Sequence, residues 1–261
     1  MCRSTTFIHV EVMEDYSTDS FKSAFLRFSS LYPLPKSIRS DRGTQIVGFQ
    51  RSIEGFMSSM GVVWEFGLAG VPATNGSAEA AVKLIKRQLS LMTRLQDLSD
   101  GELQTLTRKS QMFVNLRPIG WREADDEVTV IRPFDFLDGA LSRLPVDVQP
   151  DVNLNLSQRK TFMEKQFGYL WQRLQQDFFS DRVKKNRNEK IKNLKVGDVV
   201  AVKELNVTRG NWSWGRVVNV HESRDGVVRA ADVKTKGGGN GKSKTLLIGV
   251  SRLSLIFRDH P

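Results

Sequence analysis

Lys36-Ser37-Ile38-Arg39-Ser40-Asp41-Arg42-Gly43-Thr44-Gln45 follows a break at Pro33 and Pro35. The run Lys36–Ser40 predicts a buried strand that ends at Asp41, where it gives way to a glycine turn. Such a position exposes a carboxylate at the edge of a sheet. Upstream, Phe7, His9 and Glu11 alternate with Ile8, Val10 and Val12, so Thr5–Val12 predicts another strand. Between the two, Ser17 or Thr18 caps a helix marked by Phe21, Ala24, Phe25 and Phe28. Downstream come a helix from Phe49 to Met60, a strand from Val62 to Phe66 and a Gly/Pro/Asn-rich loop from Gly67 to Gly76. A long helix then spans Ser77–Leu95, and Ser99 with Glu102 forms a capping box for a helix that reaches Asn115 before Pro118. This alternation predicts an α/β domain over residues 1–118.

Residues 119–155 read as irregular, and Ser157–Lys185 as helical, so 119–194 is expected to be an irregular and helical linker region. From Val196 the chain becomes short and Val-rich, with Asp198–Lys203, Gly215–His221, Val227–Lys234 and Leu246–Ile256 split by turn residues. That texture predicts a small all-β barrel or sandwich over 195–258, with Lys236–Lys244 as a Gly/Lys-rich hairpin tip.

Charge follows this division. Residues 1–180 carry 21 Lys+Arg and 21 Asp+Glu, whereas 181–261 carry 18 and 8, so the whole net +10 sits in the last third. A basic segment gains affinity for polyanions by displacing phosphate counterions, which points to nucleic acid, although basic surfaces also serve solubility alone. Lys184, Lys185 and Arg187 lie in the basic run 182–192, and Trp212 and Trp214 are interleaved with Arg209 and Arg216. Such a pattern stacks on bases and pairs with phosphates, and at least one of the tryptophans is expected to fill the module's core instead. With one cysteine, Cys2, and three histidines, neither an internal disulfide nor a Cys/His zinc knuckle can form from these residues. No segment has the apolar length of a membrane span, and the first ten residues lack the pattern of a secretion signal.

Glu79 opens the long helix, and Lys83 and Lys86 lie about 40° and 20° from it around the helix axis, on one face. A carboxylate beside lysines on one surface suits the gripping of a phosphodiester together with a divalent metal. The plainer alternative is a first-turn carboxylate favoured by the helix dipole, with Lys83 as its i+4 partner.

The stretch from Pro35 to Gly48 resembles the second-aspartate region of retroviral-type integrases, and the surroundings of Glu79 resemble their third acidic position, with 37 residues between Asp41 and Glu79. Asn115-Leu116-Arg117-Pro118 is similar to the signature that closes the core in BEL/Pao retrotransposons. Val196–Lys203, Trp212–Val220 and Arg224–Thr235 are similar to that class's C-terminal module. The resemblance implies a partial RNase H-like integrase core followed by a helical linker and a small SH3-like barrel. It implies a metal-dependent DNA strand transferase using Mg²⁺ or Mn²⁺, with Asp41 and Glu79 as catalytic acids and metal ligands. Lys83, Lys86 and Arg87 then grip the element's DNA end. Gly43 and Thr44 match the family's turn, while Arg42 and Gln45, and Ala73 and Ala78 where BEL/Pao elements carry His and Trp, depart from it. The first catalytic aspartate would stand on a strand preceding Thr5–Val12, and Asp15 and Asp19, at the start of the first helix, are poor substitutes. The reading is therefore a DNA-integration protein truncated at its front and catalytically incomplete. The implied partners are the element's ends, target DNA and a second copy of the chain, in a nuclear setting with neither membrane nor small-molecule substrate. A non-catalytic protein that binds nucleic acid or chromatin through its basic C-terminal module is the alternative, and a plain interaction module a third.

Overall fold

The computed structural model describes residues 1–40, 50–66, 76–93, 98–124, 127–137, 158–185, 193–203, 212–236 and 243–258. It is a mixed α/β chain of two units, residues 1–111 and 112–261.

In the first unit, Ser17 accepts the Ser20 N–H at 3.1 Å and so caps α1 (Thr18–Ser29). Strand β1 (Ser37–Ser40) pairs in parallel with β2 (Val63–Phe66), in register from Ser37↔Val63 to Ser40↔Phe66. Helix α2 (Gln50–Ser59) lies between them in sequence and ends at Gly61, whose φ of 73° is open to glycine without strain. Phe25 of α1, Ile53 and Met57 of α2 and Val62 form the buried centre, with Phe21, Phe28, Ile38, Phe56 and Trp64 packed around it. Strand β1 was expected to be buried, yet its residues alternate between exposed and half-buried. Ile38 faces the core, while Arg39 turns outward to Glu65 of β2. Helices α3 (Gly76–Thr93) and α4 (Asp100–Asn115) follow, the latter closed by the expected capping box, in which Ser99 N–H donates to Glu102 Oε2 at 2.9 Å.

Thr5–Val12 is not a strand. Among the described residues it pairs with no ladder neighbour, and side chains take the place of one. Arg108 of α4 donates to the Val10 carbonyl at 2.9 Å, Gln111 Oε1 accepts the Val10 N–H at 2.9 Å, and Arg27 donates to the Val12 carbonyl at 2.9 Å. Glu11 accepts from both arginines and from His9, whose ring lies 5.3 Å from that of Phe28 and 5.1 Å from that of Tyr32. Burial pushes the Glu11 carboxyl up, but the donors from Arg108, Arg27 and His9 outweigh it and hold it below its ordinary value.

The second unit departs from the expected boundaries. Residues 119–155 hold a hairpin of β3 (Gly120–Ala124) and β4 (Glu127–Ile131), paired Gly120↔Ile131. Trp121 and Val130 face each other across it, a pair suited to a pleated surface. Helix α5 (Gln158–Lys185), expected to be linker, is part of the core: Phe167, Leu170, Trp171, Leu174 and Phe179 are buried. Strands β5 (Val199–Val202), β6 (Ser213–Glu222), β7 (Val228–Lys236), β8 (Ser243–Gly249) and β9 (Leu253–Phe257) form one antiparallel sheet, ordered β8-β7-β6-β5-β9. The 3₁₀ turn Val250–Arg252 splits the single strand expected at Leu246–Ile256. Inside, Val200, Val202, Val217, Ala231, Val233, Ile248 and Leu253 are buried together.

A closed barrel was expected, but β8 and β9 are not paired with each other and the sheet is open. Its connections nonetheless demand curvature. Gly249 and Leu253 bridge opposite edges through Val250–Arg252, a span of at most about 14 Å. Five flat strands would be roughly 19 Å across. The sheet therefore curls, and the bulges at Val217/Asn219 and Val199/Val200 supply the local bend.

Gly215 of β6 lies close against β7, opposite Thr235. A Cβ there would stand 2.5 Å from Val233 Cγ1 and 2.6 Å from the Lys234 carbonyl oxygen. The second neighbour is backbone and has no rotamer to change. Gly215→Ala is expected to cost at least about 1–3 kcal/mol, seen as a lower urea midpoint for the C-terminal unit. An unchanged midpoint would show that β6 can move away from β7.

Candidate nucleic-acid interface

The stripe on α3 follows from helical geometry. Glu79 in the first turn, then Lys83, Lys86, Arg87 and Ser90, recur three and four residues apart, so they line one side of the helix while Ala81 and Ile85 are buried. Lys83 and Arg87 are four residues, about 6 Å, apart along the axis. Opposite this stripe stands the C-terminal end of β1. Arg39 and Ser40, with Ala78, Glu79, Val82, Lys83, Lys86, Arg87 and Ser90, enclose a cleft of about 700 Å³.

The cleft has an apolar floor and a cationic rim. Val82 is 51% exposed on the floor. On the rim, Arg39, Lys83, Lys86 and Arg87 set four cations against the one carboxylate of Glu79. Arg39 donates from Nη2 and Nε to Glu65 Oε2 at 2.8 and 3.3 Å, so a neighbour on β2 fixes its guanidinium. The Ser40 hydroxyl accepts from Trp64 Nε1 at 3.1 Å, which ties the strand end to the core.

Such a rim suits an extended anion. A divalent cation needs several oxygen ligands, and one carboxylate among four cations does not provide them. Among the described residues, no three His, Cys, Asp or Glu side chains are grouped to hold a metal ion. The described residues alone thus do not fit Mg²⁺ or Mn²⁺. Asp41 lies outside the described residues, directly after Ser40 at the cleft's edge in sequence. Asp15 and Asp19 are engaged locally at the start of α1. Hydrogen bonds from Ser17 and Ser20 hold the Asp15 carboxyl at about 2, and Asp19 pairs with Lys22 at 3.7 Å.

The remaining expected contacts divide. Arg187 and Arg209 lie outside the described residues, and Lys184 and Lys185 form the last turn of α5, where only the backbone is described. Trp212 does not stack on bases: it is 5% exposed, with ring centroids 5.0, 4.6 and 6.3 Å from those of Trp171, Phe178 and Phe179. Arg216 is half-buried, its guanidinium 5.5 Å from the Trp121 ring centroid, so its stacking partner comes from the β3–β4 hairpin. Trp214 is half-buried opposite Ala201. Of the described members of this set, Trp212 thus serves the inside of the second unit, and Trp214 and Arg216 lie half-buried. Lys234 stands opposite Arg216 in register and is exposed, so the sheet keeps a basic position there.

Reading by sequence missed Arg39. The available signal was its place directly after Ile38, on a strand whose end had drawn notice only for Asp41.

No helix among the described residues is long and apolar enough to cross a membrane. No curated protein matches the chain. Residues 158–247 match the model of a family described as a family of unknown function (DUF5641), and the match runs through α5 and β5 to β7 into β8, so helix and sheet belong to one matched module.

Proposed function

We propose that the chain is a nucleic-acid-binding DNA-integration protein of a retrotransposon, descended from an integrase and acting through phosphate contacts. One observation carries the reading: the cleft brings Glu79, Lys83, Lys86 and Arg87 onto the end of β1, the strand that leads into Asp41. That proximity supports reading the two sequence motifs as parts of one site. A parallel pair β1–β2 with α2 between, followed by α3, supports a partial RNase H-like core. The curled five-strand sheet with its 3₁₀ turn before β9 supports an SH3-like module. Binding gains its free energy chiefly from counterions released when lysines and arginines replace them on phosphates, so it is sequence-tolerant and salt-sensitive.

The test is direct. Lys83→Gln and Lys86→Gln are each expected to reduce the slope of log affinity against log salt by about 1 on duplex DNA. Fluorescence anisotropy over a salt series reads that slope, and slopes equal to the parent's would remove the cleft from the binding surface. The second reading, a non-catalytic nucleic-acid or chromatin binder acting through the C-terminal module, is favoured by the +10 charge of residues 181–261. It retains binding when both lysines are neutralised.

A further inference from the structure

We propose that Arg39 is a phosphate-binding residue of the cleft and that Glu65 is its positioning residue. The inference rests on the reading of the cleft as a site for a nucleic-acid backbone, and adds to it a grip on the wall opposite α3.

Arg39 lies on β1, across the cleft from the Lys83–Lys86–Arg87 stripe. A polynucleotide backbone held only by α3 would be bound along one side. A cation on the facing strand makes the cleft a channel with charge on both walls. The geometry of the guanidinium suits this use. Both of its bonds to Glu65 converge on one carboxylate oxygen, Oε2, through Nε and Nη2. Nη1, on the other side of the fork, has no bond to Glu65, and a guanidinium presents five donors in a fixed plane. The carboxylate thus immobilises the fork by one edge and leaves the other edge for a planar, two-oxygen acceptor such as a phosphodiester.

The alternative is an ordinary surface ion pair. Both side chains are about two-fifths exposed, at 37% and 43%, and pairs of that exposure add little to stability. Stability gives little reason for Glu65 to hold Arg39 at a cleft mouth, whereas preorganisation does: an arginine already fixed loses less side-chain entropy when a ligand arrives. Glu65 also subtracts charge from the rim, so its presence is a cost to affinity unless orientation outweighs it. That opposition makes the idea testable.

The experiment uses the full chain and a short fluorescein-labelled DNA duplex of mixed sequence, over a salt series. Arg39→Gln is expected to weaken binding about three- to tenfold and to lower the salt slope by about 1, with Arg39→Lys restoring the slope but only part of the affinity. Glu65→Gln is expected to keep the slope and weaken binding roughly threefold, because orientation is lost while the charge remains. Tighter binding by Glu65→Gln would overturn the positioning role, since only charge subtraction would then be at work. Wild-type affinity and slope in Arg39→Gln, beside losses in Lys83→Gln, would overturn Arg39 and leave the cleft standing. Silence in both would take the cleft reading with it. A readout independent of variant folding is protection of Arg39 in the unaltered chain from phenylglyoxal when duplex is added, followed by peptide mass. Equal modification with and without duplex would overturn the proposal.

Discussion

Incubated with short duplex ends and Mg²⁺ or Mn²⁺, these 261 residues are expected to yield no strand-transfer product. Two-metal catalysis clamps the attacking and leaving oxygens in line, and each ion must be held by fixed carboxylates. Glu79 is the one acid lining the described cleft, which it shares with Arg39, Lys83, Lys86 and Arg87. Asp41 would add a second. The resemblance to integrases calls for a third, bridging aspartate, and the two aspartates that follow Thr5–Val12 have local partners: Asp15 with Ser17 and Ser20, Asp19 with Lys22. Ions held by two carboxylates are loosely placed, and a displacement of about 1 Å can cost on the order of a hundredfold in rate. The expected effect is thus product below detection in a gel assay. A parallel reaction should use a chain given a preceding strand with an aspartate at the family's first position. Product from the unaltered chain, abolished by Asp15→Asn or Asp19→Asn, would show that one of these is the first acid.

Trp212→Ala should cost about 3–5 kcal/mol of the second unit's stability. The indole fills the space between α5 and the sheet, touching Trp171, Phe178 and Phe179. The surrounding rings are bulky and all belong to α5, so truncation leaves a cavity that this helix would have to shift to close. The indole Nε1 is buried and has no partner among the described residues, a standing cost that Trp212→Phe removes. The phenylalanine variant should accordingly lose much less. Trp214→Ala, at a half-buried position, serves as the comparison and should lose less than Trp212→Ala. Urea unfolding followed by circular dichroism ranks the three. If Trp212→Ala kept its midpoint and lost only DNA affinity, the side chain would be a ligand contact and not a core member.

The same packing bears on how the module can be isolated. A fragment beginning after α5 would bare Trp212, so a DNA-binding test of the basic C-terminal segment should use a piece that keeps the helix. The matched stretch 158–247 likewise includes it.

Much of this was legible along the chain. Capping chemistry is local, so Ser17 and the Ser99/Glu102 box placed the starts of α1 and α4 correctly. Helical period put Glu79, Lys83 and Lys86 on one face of α3 because the repeat is a property of the backbone alone. The location of the positive charge in the last third needed only counting. What the chain order could not supply was the identity of neighbours. Alternation at Thr5–Val12 signalled a strand, but a strand exists only beside another, and here Arg108 and Gln111 of a helix about a hundred residues away meet its backbone instead. Tryptophans beside arginines looked like a ligand surface, and α5 settled the matter by burying Trp212, since the same aromatic area can cover a base or a core. Arg39 became a site residue only when β1 came to face α3, because a cleft is made of two walls and no single segment contains both.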